Sequence, residues 1–88
     1  MDIPVITGAP PGPFRTIDSV FGYFAVKPDS KGTFNLTAAF EGAKKSLRLN
    51  CKDLGGNAVI HCHFDFRIQG FEQEFQIFAY GTAVTLLS

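Results

Sequence analysis

The chain has no tryptophan, one methionine and only two cysteines among its 88 residues. Two thiols cannot build the multiple staples of a disulfide scaffold. In a chain without export signals they are expected to be free, in a reducing compartment. Net charge is also missing, because eight basic side chains balance eight acidic ones. No overall field therefore exists to gather nucleic acid, anionic lipid or charged substrates. No apolar run approaches the roughly 20 residues of a membrane helix. The opening Met1-Asp2-Ile3-Pro4-Val5-Ile6-Thr7 lacks the basic flank and long apolar core of a signal peptide. The expectation is a cytoplasmic protein with neither nucleic acid nor membrane as a partner.

Phenylalanine is plentiful: there are ten, within a composition that is 45% hydrophobic. A chain this short buries roughly 60–65% of its unfolded surface. So much large apolar surface in one small domain suggests that some of it meets a partner.

The chain reads as a single domain over residues 1–88. Residues 1–14 form an N-terminal loop or a short accessory strand at Val5–Thr7, because three prolines between Gly8 and Phe14 withhold donors and hold φ near −65°. Thr16 to Val26 is β-branched and aromatic, a first strand, and Lys27-Pro28-Asp29-Ser30-Lys31-Gly32 ends it with turn chemistry. From Asn35 to Leu54 the period becomes helical. Leu36, Ala39, Phe40, Ala43, Leu47, Cys51 and Leu54 make one apolar stripe, with Asn35 as N-cap and Gly55 as the left-handed residue after the helix. Asn57 to Ile68 and Glu74 to Leu86 alternate as strands, with a turn near Gln69-Gly70. The β-α-β-β order predicts an α+β two-layer sandwich, a three-stranded sheet with one helix across one face.

A helix covers only one face of a sheet, so the other should be polar. Simple alternation places Ala58, Ile60, Cys62, Phe64 and Phe66 toward the helix and Val59, His61, His63, Asp65 and Arg67 away from it. On the third strand Phe75, Ile77, Ala79, Gly81 and Ala83 suit a close helix. The opposite face starts polar at Glu74 and Gln76, then turns apolar at Phe78, Tyr80, Val84 and Leu86. The first strand sets Ile17, Phe21 and Tyr23 against Val20, Phe24 and Val26. On the helix, Ala38, Gly42 and Leu49 lie opposite the core stripe. Two apolar sheet faces and one helix leave a surplus. Phe78, Tyr80, Val84, Leu86 and Leu49 are accordingly the candidate contacts of a homo-oligomer, against the plainer reading that single exposed apolar residues are ordinary.

His61 and His63, two apart on a strand, project from one side about 6–7 Å apart. Two imidazoles, continued by Asp65, can hold zinc or copper, though a stable site wants three or four ligands. The alternative is the polar side of a half-exposed strand. Cys62 points the other way and, like Cys51 on the helix stripe, reads as a small buried hydrophobe, and the two are too staggered to bridge. Neither has the electropositive, accessible setting of a nucleophile, so no catalytic residue is assigned and no enzyme is expected. Lys44, Arg48 and Lys52, flanked by Lys45, read as a solvated basic flank. Leu54-Gly55-Gly56-Asn57 precedes a strand, whereas a phosphate cradle precedes a helix.

Leu54-Gly55-Gly56-Asn57-Ala58-Val59-Ile60 after an amphipathic helix resembles the Leu-Gly-Ala-(Asp/Asn)-Ala-Val-Val signature of the YbjQ-like family, as Ala79-Tyr80-Gly81-Thr82-Ala83-Val84 resembles its Gly-Thr-Ala-Val strand. Arg15-Thr16-Ile17 and Phe21-Gly22-Tyr23-Phe24-Ala25-Val26 are similar to its first strand, so the likeness runs from about Ile6 onward. It implies a β-α-β-β subunit with strand order 1-3-2, a ring-like pentamer and a family label of heavy-metal binding without an established role. This chain has only about ten residues between first strand and helix, fewer than the family, and family members commonly carry Gly and acidic residues at the positions of His61 and His63. The reading is thus a small cytoplasmic homo-oligomeric binding or scaffold module without catalysis or required cofactor. The alternative is a protein that binds zinc or copper through His61, His63 and Asp65 of one or neighbouring subunits.

Overall fold

The computed structural model of the chain describes residues 3–69 and 74–87; the turn expected around Gly70 lies outside them. Strand β1 spans Phe14–Val26, helix α1 Leu36–Asp53, β2 Ala58–Gln69 and β3 Glu74–Leu86. The strands pair antiparallel in the order β1-β3-β2, with α1 against one face. Strands of 12–13 residues give an elongated body of 48 × 20 × 18 Å. β1 begins two residues before the expected Thr16, since Phe14 and Arg15 still pair with Leu86 and Thr85.

Both helix ends follow from local chemistry. The Asn35 side-chain oxygen accepts the Ala38 N–H at 3.0 Å, which satisfies one of the free donors of the first turn. At the other end Gly55, at φ +86°, donates to the Lys52 carbonyl, and Gly56 donates to that of Cys51. These two bonds form a Schellman closure, which requires a left-handed residue that glycine adopts without strain. Ala39, Ala43, Leu47 and Cys51 of the expected stripe are fully buried, whereas Leu36 and Leu54 at its ends are exposed.

The helix packs mainly over β1 and β3 and hardly over β2. At Gly22 the approach is so close that a Cβ would stand 2.6 Å from the Leu47 nitrogen and 2.7 Å from the Ala43 oxygen. Gly42, expected on the outer side of the helix, instead lies under the Phe24 ring at the β1 flank. With α1 drawn toward β1, Phe66 and Ile68 at the far end of β2 stay 62% and 56% exposed.

Two bulges change which residues face the helix. In β1 an extra residue at Ile17 breaks the register between Thr16 and Asp18. Ile17 thereby packs against the helix-side cluster and parts from Phe21 and Tyr23, with which it was expected. In β2 the shift falls between Ile60 and His63, and His61 there has φ +52°. One extra residue reverses the alternation on one side of the bulge. Cys62 and Phe64 face the helix as expected, but before the bulge Val59 does so. Ala58 and Ile60, expected under the helix, form a separate cluster with Val84 and Ile6.

The N-terminal segment holds this bulge. Val5 bridges Val59 in parallel, the single bridge realised from the expected accessory strand. Along the same edge Val59 N–H donates to Pro4, Ile6 N–H to Val59, Cys62 N–H to Ile6 and His61 N–H to Gly8. Ile3 is buried, and Arg48 Nε donates to its carbonyl at 2.9 Å. Arg48 therefore anchors the strap and is not the solvated flank residue it was expected to be.

Candidate functional site

The sheet face away from α1 is built from cross-strand rows. Ser19 pairs with Thr82, Phe21 with Tyr80 and Tyr23 with Phe78; His63 and Asp65 of β2 pair with Tyr80 and Phe78. No helix covers this face, and four rings cluster on it. Tyr23 and Phe78 have centroids 5.1 Å apart, Phe21 and Phe78 6.3 Å, Phe21 and Tyr80 6.4 Å, within the range of favourable ring contacts. Phe21 remains 50% exposed, Tyr80 41% and Tyr23 38%. The Arg67 guanidinium sits 5.2 Å from the Phe78 centroid, and the Tyr80 hydroxyl donates to Asp65 Oδ2 at 3.4 Å.

Next to the rings runs an open trough of ≈ 440 Å³. Its position follows from side-chain size: the Ser19–Thr82 row is short, and beside it stands the tall Phe21–Tyr80 row. His61 at the bulge and His63 beyond it complete the lining. The two histidines both line this concavity, but across a bulge and not on the regular strand expected from the sequence. Asp65 is engaged by Tyr80 and is not among the lining residues. Of the other candidate contacts, Phe78 is half-buried among the rings, Leu86 and Leu49 are exposed, and Val84 is fully buried in the cluster that Ile6 joins. Alternation alone misses the bulge, although an isolated glycine in a strand, here Gly81 opposite it, is the sequence signal for one.

A family model described as "Putative heavy-metal-binding", named YbjQ, matches residues 30–87. The chain belongs to the YbjQ family. Among curated proteins nothing matches. Among solved structures it is similar to a protein of unknown function of the DUF74 family from Pediococcus pentosaceus, with a TM-score of 0.83 at 17% identity, covering 94% of this chain and 96% of that one. That likeness is one of fold. It extends over β1 as well as the part matched by the YbjQ model, in agreement with the β1-β3-β2 sheet.

The YbjQ family description directs attention to metal-ligating side chains. Among the described residues no group of three or more His, Cys, Asp or Glu side chains converges. His61 and His63 offer at most two of the four ligands of a closed zinc site. The thiols do not add to them: Cys51 and Cys62 are buried and free, within the cluster beneath the helix. Burial pushes both thiols above their ordinary pKa, which disfavours the thiolate that binds metal or attacks an electrophile. Within one copy the described residues do not fit a complete metal centre. Among the described residues no helix is long and apolar enough to cross a membrane.

Proposed function

We propose that this YbjQ-family chain is a non-catalytic, cytoplasmic binding or scaffold module that acts as a homo-oligomer. The observation that carries the reading is the uncovered ring cluster of Phe21, Tyr23, Phe78 and Tyr80 on the sheet face opposite α1. Covering the exposed half of one such aromatic removes on the order of 100 Å² from water, ~2.5 kcal/mol. Several together favour association of a chain whose zero net charge opposes it little. The ring of five implied by the family resemblance would have a mass of about 48 kDa, from five copies of 9.6 kDa. Light scattering on a sizing column at micromolar concentration tests this. An assembly that Phe21→Glu breaks down to monomers supports the reading, and a wild-type mass of 9.6 kDa refutes it.

A second reading rests on the trough. His61 and His63 open onto the face proposed to meet another copy, so zinc or copper held between neighbouring subunits would draw imidazoles from more than one chain. Titration of the metal-free protein with each ion reads this directly. Stoichiometric binding that is lost in His61→Ala/His63→Ala supports it; no binding, or binding unchanged in the variant, refutes it.

A further inference from the structure

We propose that the trough binds a small organic acid with a flat aromatic body, its ring against Phe21 and Tyr80 and its carboxylate toward His61, His63, Ser19 and Thr82. The shape argument comes from the rows of the sheet. Two short hydroxyl side chains, paired across β1 and β3, form a floor beside a tall aromatic wall, which leaves a slot the depth of a ring. The volume of ≈ 440 Å³ lies in the range of small-molecule sites. The open side admits a ligand without any rearrangement of the backbone.

The chemical argument comes from what lines the slot. The polar side chains there are two imidazoles and three hydroxyls; those of Ser19 and Thr82 can donate a hydrogen bond, as can each imidazole, whereas the Tyr80 hydroxyl donates to Asp65. No carboxylate is among the lining residues. Two stand just outside the trough: Asp65 accepts the Tyr80 hydroxyl, and Asp18 accepts the Ser19 N–H at 2.7 Å. Arg67, the nearby cation, is drawn off over Phe78. Among the lining residues an anionic head therefore meets donors, while both neighbouring carboxylates are already engaged as acceptors. An apolar ring matches the exposed aromatic wall, where ring contacts add to simple burial. Donor, wall and floor come from three different strands, so the site exists only in the folded sheet. Phe21 and Tyr80 also belong to the face proposed to meet another copy, so the inference rests on the trough staying open beside that contact; native mass reads the assembly and ligand binding reads the trough.

Titration of the isotopically labelled protein with benzoate in EDTA, followed by amide shifts, tests this site. Saturable shifts are expected at Ser19, Phe21, His61, His63, Tyr80 and Thr82. Benzamide, equal in shape but neutral, should bind about tenfold more weakly, the scale of hydrogen bonds to a charged group. His63→Ala should weaken benzoate by a similar factor, and Ser19→Leu, which fills the floor, should abolish binding while the remaining amides keep their positions. Shifts that do not saturate overturn the proposal. So does equal affinity for benzoate and benzamide, or benzoate binding that survives Ser19→Leu in a folded protein.

Discussion

Gly22→Ala and Gly42→Ala add the same methyl group to opposite sides of one contact, and the structure assigns them different costs. At Gly22 the new Cβ would stand 2.6 Å from the Leu47 nitrogen, 2.7 Å from the Ala43 oxygen and 2.9 Å from the Leu47 Cα. All three are helix backbone, which cannot rotate away, so α1 must lift off β1 along its buried stripe. Overpacking of this kind costs about 3 kcal/mol, offset by about 0.7 kcal/mol from the reduced freedom of the unfolded chain. The net loss of about 2 kcal/mol is large against the roughly 4–13 kcal/mol expected for a domain of this length. It should lower Tm by roughly 8–16 °C. At Gly42 the atoms met are those of the Phe24 ring. That side chain is 39% exposed and can swing outward, while alanine gains about 1 kcal/mol of helix propensity over glycine. Gly42→Ala should therefore stay within about 1 kcal/mol of the parent. Urea unfolding followed by circular dichroism measures both, at one fixed protein concentration so that association does not enter the comparison. If the two variants shift the midpoint equally, or if Gly22→Ala is as stable as the parent, the close seating of α1 on β1 is refuted.

His61 occupies a left-handed conformation at φ +52°, which costs a non-glycine residue about 1 kcal/mol. His61→Gly should raise the urea midpoint by up to that amount and His61→Val should lower it, and the opposite order would remove the bulge from the argument. The buried thiols of Cys51 and Cys62 titrate above the usual thiol value of 9.0. The stability this represents is therefore complete below that value and is lost as pH rises through the elevated native values. Stability should fall on the alkaline side and fall less in Cys51→Ala/Cys62→Ala. Native thiols should also react with iodoacetamide more slowly than the urea-unfolded chain, and equal rates would contradict their burial.

The helix was legible because its signals are local. Asn35, the three-and-four stripe and Gly55 act within a few residues of one another, and each sits where the sequence places it. The third strand was legible for a related reason, since Ala79, Gly81 and Ala83 are small only on the side that meets α1. The strand order was not: alternation is silent about neighbours, and 1-3-2 came from family resemblance. The bulge in β2 was hidden by composition. Ala58, Val59 and Ile60 are all apolar, so either alternation buries something suitable, and the parity can reverse without leaving a mark. The trough was hidden by the same physics at longer range. Ser19 and Thr82 meet only because of the register that follows the extra residue at Ile17, and no pattern within either strand specifies that pairing.

How copies would meet can be narrowed from the edges of the sheet. An exposed edge strand offers free N–H and C=O groups to another chain, and here those groups are taken at several points. On β1, Asp18 Oδ1 accepts the Ser19 N–H at 2.7 Å and Ser46 Oγ accepts the Tyr23 N–H at 3.2 Å, while Asn50 Nδ2 donates to the Phe21 carbonyl at 2.6 Å. Ser46 and Asn50 are one helical turn apart, so the seating of α1 over β1 that Gly22 permits also blunts the edge of that strand. On β2, the strap of residues 4–8 takes the first half, and Asp65 Oδ1 accepts the Phe66 N–H at 3.0 Å in the second. Strand addition would have to break these bonds before making new ones. Covering the ring face breaks none, since its side chains already stand clear of the backbone ladder. If the chain assembles as proposed, its contacts should therefore depend on Phe21, Tyr23 and Tyr80, and Ser46→Ala, which frees an edge donor, should leave the native mass unchanged.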